Sequence, residues 1–280
     1  MTLTPPYTFQ QLLPDLAGWV TNLATVWPAP IVKPNFASWE VLHILSLIVL
    51  GGCTILIGVR LIGNGLTEEP PSALYRNLRW PLHAGVVGIV LSGVLIGMAN
   101  AERLYNSAAF LVKMLALAAA VIFTYGVTRR VALAEGRVDT VARVGAAAAM
   151  GFWGLGLWVF LTGGLIMPGL FHLLTAAALI LAFVLKGAAR WVFVAGLAAI
   201  LLAFYVATHV VIAPDDLAKS DPANLSIAWL SFAWIFGTAA FHAARGWRAP
   251  ESGALTKVVG YATILVWVTA GAAGRWIAFA

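Results

Sequence analysis

The chain has 280 residues, 61% hydrophobic and only 10% charged, with a formal net charge of +6 and a mean hydropathy of +0.92. A soluble domain carries about a quarter charged residues, so an ordinary globular domain is excluded. Apolar runs that are continuous rather than alternating also exclude a transmembrane β-barrel, and the single Cys53 excludes a disulfide framework.

The opening "MTLTPPYTF" has no basic n-region, and no cleavable signal peptide is expected from it. Phe9, Leu12, Leu13, Leu16, Val20, Leu23 and Trp27 follow at helical spacing, and Pro28 and Pro30 close the segment. Residues 1–37 therefore read as an amphipathic helix on the outer membrane surface. A helix packed on the loops gives the same pattern.

Residues 38–280 read as an all-α membrane bundle of eight transmembrane helices, predicted at 38–62, 80–99, 107–127, 143–166, 169–186, 190–212, 226–244 and 257–279. Alternate loops collect Arg60, Arg76, Arg79, Arg129, Arg130, Arg137, Arg143, Lys186, Arg190, Arg245, Arg248 and Lys257. The opposite set holds Lys33, Arg103, Lys219 and Arg275, while Lys113 lies within a span. The positive-inside bias predicts cytoplasmic basic loops and both termini outside, so the net positive charge is an orientation signal and not a nucleic-acid footprint. Spans one to four and five to eight match weakly ("LRWPLHAGVVGIVLSG" beside "AARWVFVAGLAAILLA"), which suggests a parallel 4+4 repeat.

All five histidines sit in or at the margin of apolar spans, and intramembrane ionisable residues commonly mark function. Four residues beyond Arg79, His83 lies about 6 Å inside the basic edge; three residues before Arg245, His242 lies about 4.5 Å from it. On the outer side stand His43, His209 and His172. Two such layers are what two stacked b haems require, each iron taking imidazoles from facing helices. His83 with His242 forms the expected inner pair and His43 with His209 the outer one, His172 being the alternative for either outer position. Arg60, Arg79 and Arg245 flank the inner layer as candidate propionate partners, and Lys113 could serve the outer layer, although snorkelling accounts for it more simply. Gly88, Ser92, Gly93 and Gly97 form a small-residue row suited to a flat macrocycle or, more commonly, to close helix packing.

"WEVLHILSLIVLGGCTILIGVRLIG" (Trp39 to Gly63) and "SGVLIGMANAERLYNSAAFLVKMLALAA" (Ser92 to Ala119) resemble bacterial membrane proteins related in outline to the copper-resistance D family. The general layout is also similar to that of di-haem membrane cytochromes b. The resemblance implies a helical-bundle protein of the bacterial inner membrane, handling either redox equivalents or copper.

The leading expectation is a b-type cytochrome subunit, with one or two haems, that passes electrons between an outer-side redox partner and the membrane quinone pool. The loops are too short for a catalytic domain, which implies other redox subunits as partners. Asp215, Asp216 and Asp221 could orient such a partner, or simply be solvated. The alternatives are a copper carrier using Met98 and Met167 beside the outer histidines, and a cofactor-free structural subunit. No HExxH motif, nucleophile elbow or intramembrane carboxylate cluster points to hydrolysis.

Overall fold

A computed structural model describes residues 8–63, 65–162, 166–212, 217–245 and 253–277; side chains are not described for 161–172, 217, 218, 220, 221, 224 and 225. Among the described residues there is no strand. The long helices are α1 (Phe36–Ile62), α2 (Pro71–Ala99), α3 (Ala108–Leu133), α4 (Thr140–Thr162), α5 (Ile166–Val184), α6 (Gly187–Val211), α7 (Leu217–Arg245) and α8 (Ala254–Trp276). Among the described residues seven helices are long and apolar enough to cross a membrane; the shorter apolar stretch read in α5 is Leu173–Val184.

Local chemistry sets the helix ends. Gly63, at φ 84°, closes α1 in the left-handed conformation that glycine adopts without strain, its N–H bonding the Arg60 and Val59 carbonyls. Proline at the first position opens α2, where a missing N–H costs nothing. The Ser107 hydroxyl caps α3 by accepting from Phe110 N, and an Asp139 carboxylate oxygen accepts from Ala142 N ahead of α4. Towards the basic loops α2 and α3 run well past the predicted span ends, because a helix continues into water wherever its backbone bonds and packing persist.

The helix expected ahead of the first span is broken into short pieces, Phe9–Leu12 and Ala17–Leu23 among them, with Pro14 between these two. Val20 is buried against Ala101 and Tyr105 in the connection between α2 and α3, and Phe9 packs on Phe110 with ring centroids 5.6 Å apart. Leu12, Leu13, Leu16, Trp19 and Trp27 remain exposed. The segment is thus tied to the bundle at several points, Ala29 and Val32 also being buried, while much of its apolar surface faces outward.

The organising element is α8. Of its most apolar window 72% is buried, against 6% for α6 at the periphery. It packs against α1, α3, α5 and α7, while α2 packs on α1, α4 on α3 and α6 on α7. The last helix is therefore lodged against the first half of the bundle, and the packing does not separate into two four-helix units.

Small residues set how close α8 comes. A Cβ at Gly260 would stand 2.6 Å from the Gly58 carbonyl oxygen, and one at Gly58 would stand 2.8 Å from the Gly260 carbonyl oxygen. Backbone thus meets backbone, as close membrane-helix packing requires. The α1–α2 contact is made likewise: a Cβ at Gly85 would lie 2.9 Å from Leu50 N, and one at Gly88 2.3 Å from Ser46 Oγ. The small-residue row on α2 is therefore a helix-packing face.

Along α8 runs a series of hydrogen bonds to neighbouring segments, most of them buried. Thr256 Oγ1 donates to the Gly136 carbonyl at 2.5 Å; Thr263 and Thr128 hydroxyls meet at 2.6 Å; Trp267 Nε1 donates to Thr124 Oγ1 at 3.0 Å; Trp153 Nε1 donates to Thr269 Oγ1 at 2.8 Å. From Thr256 to Thr269 this covers about 20 Å of helix axis. Two of its members are indoles, which only donate, so the series knits helices together and is not a proton wire.

Candidate functional site: imidazole–hydroxyl pairs within the bundle

Three of the five histidines are drawn into the bundle, each through Nδ1 and each by a hydroxyl on another helix. His43 Nδ1 on α1 lies 2.9 Å from Ser92 Oγ on α2. His83 Nδ1 on α2 lies 3.0 Å from the Tyr125 hydroxyl on α3, and His242 Nδ1 on α7 lies 3.0 Å from the Tyr261 hydroxyl on α8. All three rings are half-buried.

For His43 the tautomer follows from the network. Ser92 Oγ donates to the Gly88 carbonyl at 2.5 Å, so its single proton is committed there. Ser92 must then accept from His43 Nδ1–H, which places the imidazole lone pair on Nε2. A ring whose Nδ1–H is anchored in this way has the disposition of a metal-ligating histidine. The ring also lies against α2, where a Cβ at Gly93 would stand 3.3 Å from its Cε1.

Tyr125 sits within a π-helical segment, Ile122–Thr128, inserted in α3. Widened turns of this kind occur frequently at functional sites. Here the turn presents Tyr125 to His83, with rings stacked at 5.4 Å and 17°, and Thr124 and Thr128 to α8. The Tyr75 hydroxyl, on α2 towards the basic end, is the one buried side-chain polar atom with no hydrogen-bond partner among the described residues.

Each histidine of the expected inner pair meets a tyrosine of a neighbouring helix. Tyr125 and Thr128 attach α3 to α2 on one side and to α8 on the other; Thr263 and Tyr261, two residues apart, attach α8 to α3 and to α7. His83 is thus bonded to α3 and His242 to α8, each through a tyrosine hydroxyl. On the outer side His209 lies in a π-helical turn, Ala207–Val211, at the end of α6. It is exposed, stacks on its own helix's Tyr205 at 4.6 Å and 15°, and has Nδ1 2.8 Å from Thr208 Oγ1. Since α6 packs on α5 and α7 while α1 packs on α2 and α8, His209 is not brought to His43. The side chains of His172, Met167 and Asp221 lie outside the described residues, as do Asp215 and Asp216 altogether.

The expected cations have other engagements. Arg60 Nε donates to the Glu69 carbonyl at 2.5 Å and braces the α1–α2 connection. Arg79 lies over the Trp80 ring at 5.4 Å, and Arg245 over the Phe241 ring at 4.5 Å. The Lys113 side chain lies against Gly274 in the last turns of α8, where a Cβ would stand 3.5 Å from Nζ. Among the described residues no three His, Cys, Asp or Glu side chains are grouped to hold a metal ion.

Sequence reasoning singled out the imidazoles but not their hydroxyl partners. The signal available was a tyrosine inside each of two apolar spans, in "FTYGVT" and "VVGYAT", since a phenol in hydrocarbon demands a hydrogen-bond partner.

Residues 34–162 match a family of unknown function (DUF6644). The match runs from just ahead of α1 to the end of α4, so His43, Tyr75, His83, Ser92, Lys113 and Tyr125 fall within it, whereas His172, His209, His242 and all of α8 fall outside. No curated protein and no solved structure matches the chain.

Proposed function

We propose that this chain is an integral-membrane redox subunit that binds b haem through histidine Nε2 and exchanges electrons between a partner on the outer side and the quinone pool. The observation that carries the reading is the anchoring of Nδ1 in His43, which leaves the lone pair on Nε2 within the membrane. His83 and His242 also meet a hydroxyl at Nδ1, where the tautomer decides which group donates. Bound haem would supply one-electron chemistry; the chain's own residues orient the imidazoles and surround the ring with low-dielectric packing. His83 and His242, bonded to different helices, would each offer an imidazole to a separate haem.

The test is the absorption spectrum of the purified protein, oxidised and then dithionite-reduced. A Soret band with sharp reduced α-bands is the expected result, with His83→Ala and His242→Ala removing different haems. A colourless protein from haem-replete cells overturns the reading.

A second reading, a cofactor-free assembly subunit, is favoured by one observation. The imidazole–hydroxyl bonds join α1 to α2, α2 to α3 and α7 to α8, as the Thr–Thr and Trp–Thr bonds join α8 to α3 and α4, and interhelical packing is a sufficient use for them. The copper alternative has no described ligand set.

A further inference from the structure

Between α1 and α8 the bundle leaves a cleft of about 330 Å³, lined by Leu47, Gly51 and Ile55 on one wall and by Trp267, Val268 and Arg275 on the other, among others. Its lining on α8 runs from Ile264 to Arg275, eleven residues or about 16 Å of helix axis. The cleft opens to the outside of the bundle: Ile55 is exposed and Gly51 and Val268 are half-buried.

Its chemistry is sharply divided along that length. Within the cleft the polar side-chain groups are already engaged, Thr54 Oγ1 with the Gly51 carbonyl at 3.0 Å and Trp267 Nε1 with Thr124 at 3.0 Å. The interior therefore accepts hydrocarbon only. At one end, in the last turn of α8 and remote from the basic loops, the exposed Arg275 places a guanidinium at the mouth.

We infer that this cleft is a phospholipid site, one acyl chain lying between α1 and α8 and the phosphate meeting Arg275. An axial apolar groove about as long as an acyl chain, with a fork of donors suited to phosphate at its interfacial end, matches a phospholipid. A quinone head buried in the groove would need polar partners at its carbonyls, and the interior offers none. The inference is independent of the haem reading.

Gly51 makes the test clean, because a Cβ there meets nothing within 4 Å. Gly51→Phe can fill the groove without disturbing the helix contact. The probe is phosphatidylglycerol added to delipidated protein in detergent, with bound lipid counted by native mass spectrometry and folding checked by circular dichroism. One tightly retained lipid per chain is expected in the parent. Gly51→Phe should lose it, and Arg275→Gln should retain it about tenfold more weakly, the scale of one charge-assisted hydrogen bond. Should Gly51→Phe fail to fold, Ile55→Trp, at an exposed lining position, replaces it. No tightly bound lipid in the parent, equal retention in the groove-filling variant and the parent, or a co-purifying quinone displaced by the groove-filling variant would each overturn the inference.

Discussion

His83 and Tyr125 stack nearly parallel, their ring centroids 5.4 Å apart and the phenol oxygen 3.0 Å from Nδ1, although 42 residues separate them in the chain. The contact links α2 to the π-helical turn of α3 and holds the imidazole in one orientation. Tyr125→Phe keeps the stack and removes the hydroxyl. On the redox reading the expected outcome is a shifted reduced α-band or midpoint potential for the haem at His83, with the haem at His242 unchanged; Tyr261→Phe should do the converse. A spectroelectrochemical titration in which both variants move the same component would contradict separate sites.

Thr128 and Thr263 form a hydroxyl–hydroxyl bond of 2.6 Å between α3 and α8, both side chains almost wholly buried. Interhelical hydrogen bonds in membranes couple by about 0.6 kcal/mol. A double-mutant cycle with Thr128→Val and Thr263→Val, followed by unfolding in mixed micelles, should return coupling of that size. Coupling near zero would show that each hydroxyl is satisfied by its own helix, as Thr263 Oγ1 partly is through the Val259 carbonyl at 2.7 Å.

Gly58 and Gly260 let α1 and α8 touch backbone to backbone, so a methyl on either must push the helices apart. Gly260→Ala is expected to destabilise by about 1–3 kcal/mol, the usual cost of overpacking, while Gly51→Ala, which meets open space, should be neutral or slightly stabilising through helix propensity. Thermal denaturation of the two variants side by side checks this, and equal melting temperatures would refute the close contact.

The Tyr75 hydroxyl is buried and has no hydrogen-bond partner among the described residues. Removing an unsatisfied polar group relieves its desolvation penalty, so Tyr75→Phe should leave stability unchanged or raise it. A loss above about 1 kcal/mol, the worth of a typical hydrogen bond, would reveal a partner for that oxygen, an ordered water being the simplest.

In the loop ahead of α4, Arg130 Nη2 donates to Asp139 Oδ2 at 2.7 Å and Ala142 N to Oδ1 at 2.7 Å. The guanidinium bond first, and the backbone N–H second, hold the Asp139 carboxyl below the usual carboxylate range. A folded-state pKa that is depressed contributes stability above the unfolded value of about 3.9, and loses it as pH falls through the folded value. The melting-temperature gap between the parent and Asp139→Asn should therefore be largest near neutrality and close below pH ~3.9. Because both partners are about half exposed, the gap should be small and shrink further in high salt. A gap independent of pH would contradict the assignment.

Much of this protein was legible in its sequence, because hydrocarbon imposes a demand that each segment answers by itself. Every backbone amide in lipid must be satisfied internally, so each apolar run of sufficient length becomes a helix, and α1 and α4 fall within a few residues of their expected bounds. The histidines in the spans were equally plain, since an imidazole among "RWPLHAG" or "AAFHAARG" stands out against its neighbours. Which helices meet was not legible. Apolar helices are equally content against lipid or one another, so association depends on small-residue contacts and hydrogen bonds between residues far apart in sequence. Gly58 with Gly260, Thr128 with Thr263 and His242 with Tyr261 place α8 among α1, α3 and α7. The depth of each imidazole followed from helical rise along one chain segment; its partner depended on lateral order in the bundle, which only the packed structure decides.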